Sequence, residues 1–342
     1  MRALYYPSFD QLEIRELPVP RAEAGEVLLR VSACGLCGSE IETFKSHSPR
    51  RTPPLVMGHE FCGIVEDVGT PADRPLIGHR FVSNSVISCG HCVRCRRGDT
   101  HLCAARQVFG MHRAGAFAEF VRVPMSVLIP WPDDLSAQAA CLAEPLANGV
   151  HVVNLTRHLP VHSALVIGAG PIGLMCQQAL QAIRGAKTIV ADVSDGRLAV
   201  AQRLGASHIL NARSHDVAAE CRSWTDGEGV DLVVDAAGSG TTKRVSLAAL
   251  RPGGAAVWIG LHENRMELDS YEVTLPEKQV LGTYAAKKEE LAEALVLMQS
   301  GKVDVTSWTE CIPLDESVAG FQRMLLPGPV DLKAVFLPSA QT

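Results

Sequence analysis

The chain has no run of roughly eighteen consecutive apolar residues, so no membrane-spanning helix is expected. Its opening Met1-Arg2-Ala3-Leu4-Tyr5-Tyr6 lacks the charged and then apolar regions of a secretory signal, which makes the cytoplasm the expected compartment. Excess positive charge is missing as well. With 32 Lys and Arg against 37 Asp and Glu the net charge is -5, which offers no basic surface to nucleic acid or to an anionic membrane. Low-complexity tracts, blocks of like charge, internal repeats and long linkers are absent, and this excludes a disordered chain. Small molecules remain as the expected partners.

What the chain does have is length and cysteine. At 342 residues it exceeds what one hydrophobic core organises, so two domains are expected. Eleven cysteines is many for a cytosolic protein, and an odd count cannot pair completely. Metal ligation therefore competes with disulfides, and spacing has to decide.

Up to about Pro130, short apolar and β-branched runs such as Val27–Val31 and Phe61–Val68 alternate with Gly and Pro, the pattern of a β-rich unit. Leu135–Asn154 is rich in Ala and Leu at helical spacing. From Ala164 the pattern becomes apolar strand, turn and amphipathic helix in alternation. Strands are expected at Ala164–Ile167, Thr188–Ala191, His208–Leu210, Val230–Val234, Ala255–Ile259 and Gln279–Leu281. A helix over Lys287–Ser300 and a closing strand near Leu332–Phe336 are expected to rejoin the first unit. The fold class is thus α/β, with a Rossmann doubly wound parallel sheet over residues 149–284 and a β-rich domain formed by 1–148 and 285–342.

Cys89, Cys92, Cys95 and Cys103 have the spacing C-x2-C-x2-C-x7-C. Zinc takes tetrahedral sulfur at ~2.3 Å, and a site closed by four protein ligands has no position for chemistry, so a structural zinc is expected. Two disulfides, four ordinary thiols or an iron–sulfur cluster are the alternatives. Cytosolic redox conditions oppose the first and tight clustering the second, while nothing else in the chain supplies an electron partner for the third. His91 and His101 in the same loop read as solvated. Cys34, Cys62, Cys141, Cys176, Cys221 and Cys311 lack a companion at ligand spacing and read as small buried hydrophobes.

Gly168-Ala169-Gly170-Pro171-Ile172-Gly173 joins an expected strand to an expected helix with the G-x-G-x-x-G spacing. In that context the first glycine permits a tight turn, the second admits a pyrophosphate and the third allows helix and strand to pack closely. Pro171 suits a first helical turn, and the helix N-terminus presents free N–H groups to phosphate. Asp192 ends the second strand, where a carboxylate holds ribose hydroxyls and repels a 2′-phosphate, so NAD is favoured over NADP. Arg197 is the counterargument, and a strand-end cap is the bland reading of Asp192. Asp235–Gly238 and Trp258–Gly260 are expected at the carboxyl edge of the same sheet, beside the nicotinamide.

Three further segments carry metal donors: Cys37-Gly38-Ser39-Glu40, Gly58-His59-Glu60 and Ala143-Glu144-Pro145. Singly, a histidine is more often a satisfied core or surface residue, and Glu-Pro a helix start. Together Cys37, His59, Glu60 and Glu144 supply a thiolate, an imidazole and two carboxylates, and a catalytic zinc needs about three such ligands with one exchangeable position.

In this order, with the cysteine loop between the second and third, these segments resemble the zinc-containing medium-chain alcohol dehydrogenase family over nearly the whole chain. The resemblance implies a GroES-like catalytic domain and places Cys37 and His59 on the catalytic zinc. Glu-Pro-Leu looks like the sorbitol, threonine and sugar-alcohol dehydrogenase branch, which puts Glu144 at the third ligand position. In that branch Glu60 binds the metal directly or through water, so Glu60 and Glu144 are expected to exchange. Ser39 resembles the family's hydroxyl relay, passing the substrate proton outward through the cofactor ribose. Glu40 stands where the family often has Asp, and Glu42 where it has a relay histidine, which leaves the proton exit open.

The activity implied is hydride transfer between a secondary alcohol, of polyol or sugar type, and NAD, with zinc as Lewis acid. One catalytic and one structural zinc per chain, and a homodimer or homotetramer, are implied as well. A threonine or simple-alcohol dehydrogenase is a rival, as is a non-enzymatic NAD(H)-binding protein of the same fold. Residues near Ser39, Phe44, His47, Phe109 and His112, with Leu261 and Tyr284, are expected to line the cleft. Lys45, Arg50 and Arg51 read first as a solvated loop and second as a grip for a phosphorylated sugar.

Overall fold

The strand Glu26–Gly35 buries Val27, Leu29, Val31 and Ala33 completely in the computed structural model, which describes residues 1–326, 328 and 331–338. That alternation is the two-residue period of a strand with one face in a core. It lies within a seven-stranded sheet in the order Leu128–Pro130, Arg80–Ser83, Glu60–Val68, Glu26–Gly35, Lys333–Leu337, Thr309–Pro313, with Phe120–Pro124 also paired to Glu26–Gly35. Register matters here: Gly35 lies opposite Glu60 on one neighbour and opposite Val335 on the other. Residues 35, 60 and 333 are thereby drawn to one end of the sheet. Edge-on ring pairs, Phe61–Phe109 at 5.1 Å and Phe117–Phe336 at 5.0 Å between centroids, fill the core beneath.

The second sheet is six-stranded and parallel, in the order His208–Asn211, Lys187–Asp192, Ser163–Ile167, Val230–Asp235, Leu250–Trp258, Gln279–Gly282. Its inner strands are apolar on both faces because helices cover both. Strand order reverses at Ser163–Ile167, and ligands of such sheets bind at the carboxyl ends beside that reversal. Gly168 is the residue that follows.

The chain divides into a unit of Met1–Ala147, Ala286–Ser300 and Val305–Thr342, and a unit of Asn148–Ala285 with Gly301–Asp304. The expected domain end at 342 lies outside the described residues. Sequence gave no sign of the Gly301–Asp304 excursion. Its cause is a two-way clasp, with Asp304 N donating to Gln178 Oε1 at 2.7 Å and Gln178 Nε2 donating to Asp304 O at 3.0 Å.

The helix expected over Leu135–Asn154 is two helices, Ala137–Cys141 and Ala143–Leu155. Pro145 explains the break. It has no N–H to give Cys141 O and its ring would strike that carbonyl, whereas it is tolerated in the first turn of a new helix. Among the described residues no helix is long and apolar enough to cross a membrane.

Candidate active site

Cys37 caps the helix Gly38–Lys45, and its Sγ accepts from Ser39 N at 3.5 Å and Ser39 Oγ at 3.3 Å. Across from it, donor atoms of Cys37, His59 and Glu60 lie within 4.8 Å of one another. Two glycines make that convergence possible. Gly58, at φ 100°, has no room for a Cβ, which would sit 2.8 Å from Phe117 N, and a Cβ on Gly35 would sit 2.2 Å from Glu60 Oε2.

Glu40 is fully buried and organises the cluster. Its Oε2 accepts from Cys37 N at 3.0 Å, and its Oε1 accepts from Gly58 N at 2.8 Å and lies 3.0 Å from His59 Nδ1. Burial alone would raise this carboxyl, but the His59 ring, together with the Arg51 charge and the Cys37 N–H, outweighs burial and holds it at about 2. An ionised carboxylate only accepts, so Nδ1 of His59 carries the proton and Nε2 is left to bind a metal. A glutamate in place of the family's aspartate thus makes the contact a ligand histidine needs.

Glu60 pairs with a cation that sequence reading did not anticipate. Lys333 Nζ lies 2.5 Å from Glu60 Oε2 and donates to Leu36 O at 2.9 Å, with both side chains out of solvent. Burial lowers the lysine, but Glu60 outweighs it and the net direction is up. Glu144 is buried in the first turn of Ala143–Leu155 with its carboxyl raised by burial and hydrogen-bonded to the Ser85 side chain. Glu60, not Glu144, is in the convergent set. Its register opposite Gly35 sets it beside Cys37 and His59, while Glu144 is engaged by Ser85.

The four-cysteine loop fits zinc. Sulfur separations are 3.5 Å for Cys92–Cys95 and 3.9 Å for both Cys89–Cys95 and Cys92–Cys103. A tetrahedral ion with ~2.3 Å bonds requires about 3.8 Å. Cys92 is lowered to about 6 by the backbone N–H of Cys95, and Cys95 is pushed up to about 11, chiefly by burial. His91 is exposed, its Nδ1 2.8 Å from Cys89 O, as expected of a solvated residue. His101 is buried, a correction that follows from the tight turn Thr100–Leu102 folding it inward.

At the head of the parallel sheet Gly168 has φ 98°, and a Cβ on Gly173 would sit 1.8 Å from Gly168 O, so helix and strand could not approach with any other residue there. Gly170 faces open space, where a Cβ would meet nothing within 4 Å and a pyrophosphate can reach the backbone. Pro171 begins the helix Pro171–Arg184 and Ile172 follows in its first turn. Asp192 Oδ2 accepts from Ala169 N at 2.7 Å and Oδ1 from Ser194 N at 2.9 Å, so the strand-end cap is present. Arg197 is half-buried on the next helix, Asp195–Arg203. At the carboxyl edge, Gly238 and Gly260 pack backbone to backbone, where a Cβ on Gly238 would lie 2.2 Å from Gly260 C.

Comparison with known proteins gives a consistent answer. Residues 23–133 match the alcohol dehydrogenase GroES-like domain and residues 171–300 the zinc-binding dehydrogenase model. An L-threonine 3-dehydrogenase of Chelativorans sp. (strain BNC1) is 32% identical over 92% of this chain and 92% of its own length. The chain belongs to the zinc-binding alcohol dehydrogenase family. A D-arabitol-phosphate dehydrogenase of Enterococcus avium is 33% identical over 93% of this chain and 92% of its own. The crystal structure of a short chain alcohol dehydrogenase from E. coli CFT073 complexed with NADH superposes with a TM-score of 0.91 at 26% identity, covering 98% of this chain and 99% of that one. This dehydrogenase is an oxidoreductase acting on CH–OH groups.

Several of the dehydrogenase's expected cleft residues are elsewhere. Phe109 is fully buried against Phe61, and Phe44 packs between Tyr6 and Phe321 in the core. His47 is exposed, stacked on Phe9 and 2.8 Å from Asp10. Lys45 and Arg50 are exposed, but Arg51 is completely buried and belongs to no solvated loop. Five of the six isolated cysteines are buried as expected, and Cys311 is half-buried. A lone Lys333 between Leu332 and Ala334 was a visible signal, since a charge inside an apolar strand asks for a buried partner.

Proposed function

We propose that this dehydrogenase oxidises a secondary alcohol of a polyol or sugar derivative to its ketone, using NAD and a zinc ion held by Cys37, His59 and Glu60 with Glu144 close by. The observation that carries this reading is the acidic character of the donor set. Carboxylate oxygens only accept, so two of them favour a substrate with neighbouring hydroxyls over a simple alkanol. When bound, zinc supplies Lewis acidity at the alcohol oxygen and the nicotinamide supplies the hydride acceptor.

The chain's own residues do the rest. Glu40 holds the His59 ring in one tautomer and orientation. Lys333 balances the charge of Glu60, and Ser39 Oγ takes up the substrate's hydroxyl proton. Asp192 supports NAD over NADP, because a carboxylate at this strand end binds ribose hydroxyls and repels a phosphate. The Cys89, Cys92, Cys95 and Cys103 sulfurs support a second, structural zinc through their near-tetrahedral spacing.

A second reading, L-threonine as substrate, is favoured by the Chelativorans relative. A phosphorylated polyol draws on the Enterococcus relative, while the burial of Arg51 removes one of the three basic residues that spoke for it. We also propose a homodimer or homotetramer. The edge strand Gln279–Gly282, with its own exposed Val280, and the exposed Tyr271 and Leu275 support it, and light scattering on the purified protein tests it.

Initial rates of NAD and NADP reduction decide the substrate, measured with sorbitol, arabitol phosphate, L-threonine and 2-propanol, with and without a zinc chelator. Turnover confined to 2-propanol, or undiminished after the metal is stripped, refutes the proposal.

A further inference from the structure

Arg51 has no exposed surface, and its charge acts on the equally buried Glu40 carboxylate, which it helps to hold low. Burying a cation is costly unless its charge is balanced nearby and its hydrogen bonds are nearly complete. Its bonds are few in kind and pointed in one direction. Nε donates to Gly110 O at 3.1 Å, Nη1 to Ser39 O at 2.8 Å and to Thr43 Oγ1 at 3.0 Å, and Nη2 to Ser39 Oγ at 3.1 Å. Two of the four fall on one residue, at both its carbonyl and its hydroxyl.

We infer that Arg51 is a positioning residue for proton removal, fixing the Ser39 hydroxyl so that a single lone pair faces the incoming alcohol. The inference rests on the proposed role of Ser39. A serine hydroxyl has one hydrogen and two lone pairs, and a guanidinium can only donate. Nη2 therefore fills one lone pair of Oγ, whose hydrogen faces Cys37 Sγ, and the bond to Ser39 O holds the residue's backbone against the guanidinium. The remaining lone pair accepts the substrate's O–H. As that O–H breaks, its electron pair stays on the substrate oxygen and its proton forms a bond to Oγ, while Ser39's own hydrogen, directed at Cys37 Sγ in this structure, turns away and is released to solvent. Oγ begins and ends with one hydrogen. Without Arg51 the hydroxyl can turn so that both lone pairs miss the substrate, and turnover falls while dinucleotide binding is untouched.

A double-mutant cycle tests this, using the most active alcohol of the substrate panel and zinc-loaded wild type, Ser39→Ala, Arg51→Met, Arg51→Lys and Ser39→Ala/Arg51→Met. Zinc content and the KM for dinucleotide are read alongside kcat. Arg51→Met should lower kcat at least about tenfold with both controls unchanged, and Arg51→Lys, which keeps the charge and N–H donors on a single nitrogen, should lose less. In the Ser39→Ala background the same Arg51 substitution should change kcat less than about twofold, because the group it positions is gone. Equal losses in both backgrounds, or full kcat in Arg51→Met with Ser39→Ala impaired, overturn the role of Arg51 and leave that of Ser39 standing. Full kcat in Ser39→Ala removes the Ser39 reading itself. If Arg51→Met does not fold, the cycle with Arg51→Lys carries the same decision.

Discussion

Replacing Lys333 by Met isolates one buried charge. The Nζ lies 2.5 Å from Glu60 Oε2, with the two side chains 2% and 1% exposed. Two unit charges at that distance attract by about 7 kcal/mol at an effective dielectric near 20, before the cost of leaving water is subtracted. Removing one partner strands the other, which costs about 3–5 kcal/mol, and Met fills a similar volume, so a cavity adds little. Zinc offers the Glu60 carboxylate a second cation. The penalty should therefore be full in chelator-treated protein and at least about 1 kcal/mol smaller with zinc present.

Urea unfolding followed by circular dichroism, with and without zinc, provides the measurement. Glu60→Gln combined with Lys333→Met discards both charges and should recover most of the loss, leaving about 1 kcal/mol for the bond to Leu36 O. The effect should be flat from pH 6 to 9. A lysine whose folded value is raised keeps its stabilising share below the unfolded value near 10.5 and loses it only as pH climbs through the raised one. Equal destabilisation of single and double variants would refute the stranded-charge argument.

Three further outcomes are expected. Asp192→Ala should move the NAD to NADP preference toward NADP in steady-state rates, and an unchanged ratio would leave Asp192 only its bonds to Ala169 and Ser194. Cys95→Ser should release the structural zinc and lower thermal stability while measurable turnover persists, and a variant as stable as wild type after metal loss would contradict the site. Asp231 accepts from His162 N at 2.8 Å, Ser163 N at 2.9 Å and Arg251 Nε at 2.6 Å. Burial raises it, but Arg251 and these N–H groups outweigh burial and lower it, so its stabilisation is present above the unfolded value near 3.8 and disappears as pH falls through the lowered one. Asp231→Asn should cost about 1–2 kcal/mol at pH 7, with the gap closing below about pH 4 in acid titrations of stability.

What could be read from sequence was whatever depends on neighbours along the chain. The spacing of Gly168, Gly170 and Gly173 is dictated by local backbone geometry, and the cysteine loop closes on itself within fifteen residues from Cys89 to Cys103. His59 and Cys37 carry strong local motifs too. Arg51 does not, and Lys333 shows only as a charge inside an apolar strand, since the partner of each is brought by strand pairing and helix docking. Arg51 follows Arg50 in what reads as a basic loop, yet one is exposed and the other wholly buried. The division at Leu142 was legible in principle from Pro145, but the apolar periodicity across it masked the signal.

The strand Lys333–Leu337 also sets an order of assembly. Lys333 reaches Leu36 across 297 residues, and its strand docks beside Glu26–Gly35. A ribosome delivers Cys37, His59 and Glu60 early and this lysine far later, so during synthesis the nascent Glu60 waits without its ammonium partner. The parallel-sheet unit is nearly continuous in the chain and can mature in the interval. Completion of the charge-balanced centre is thus deferred until translation has passed the dinucleotide-binding unit.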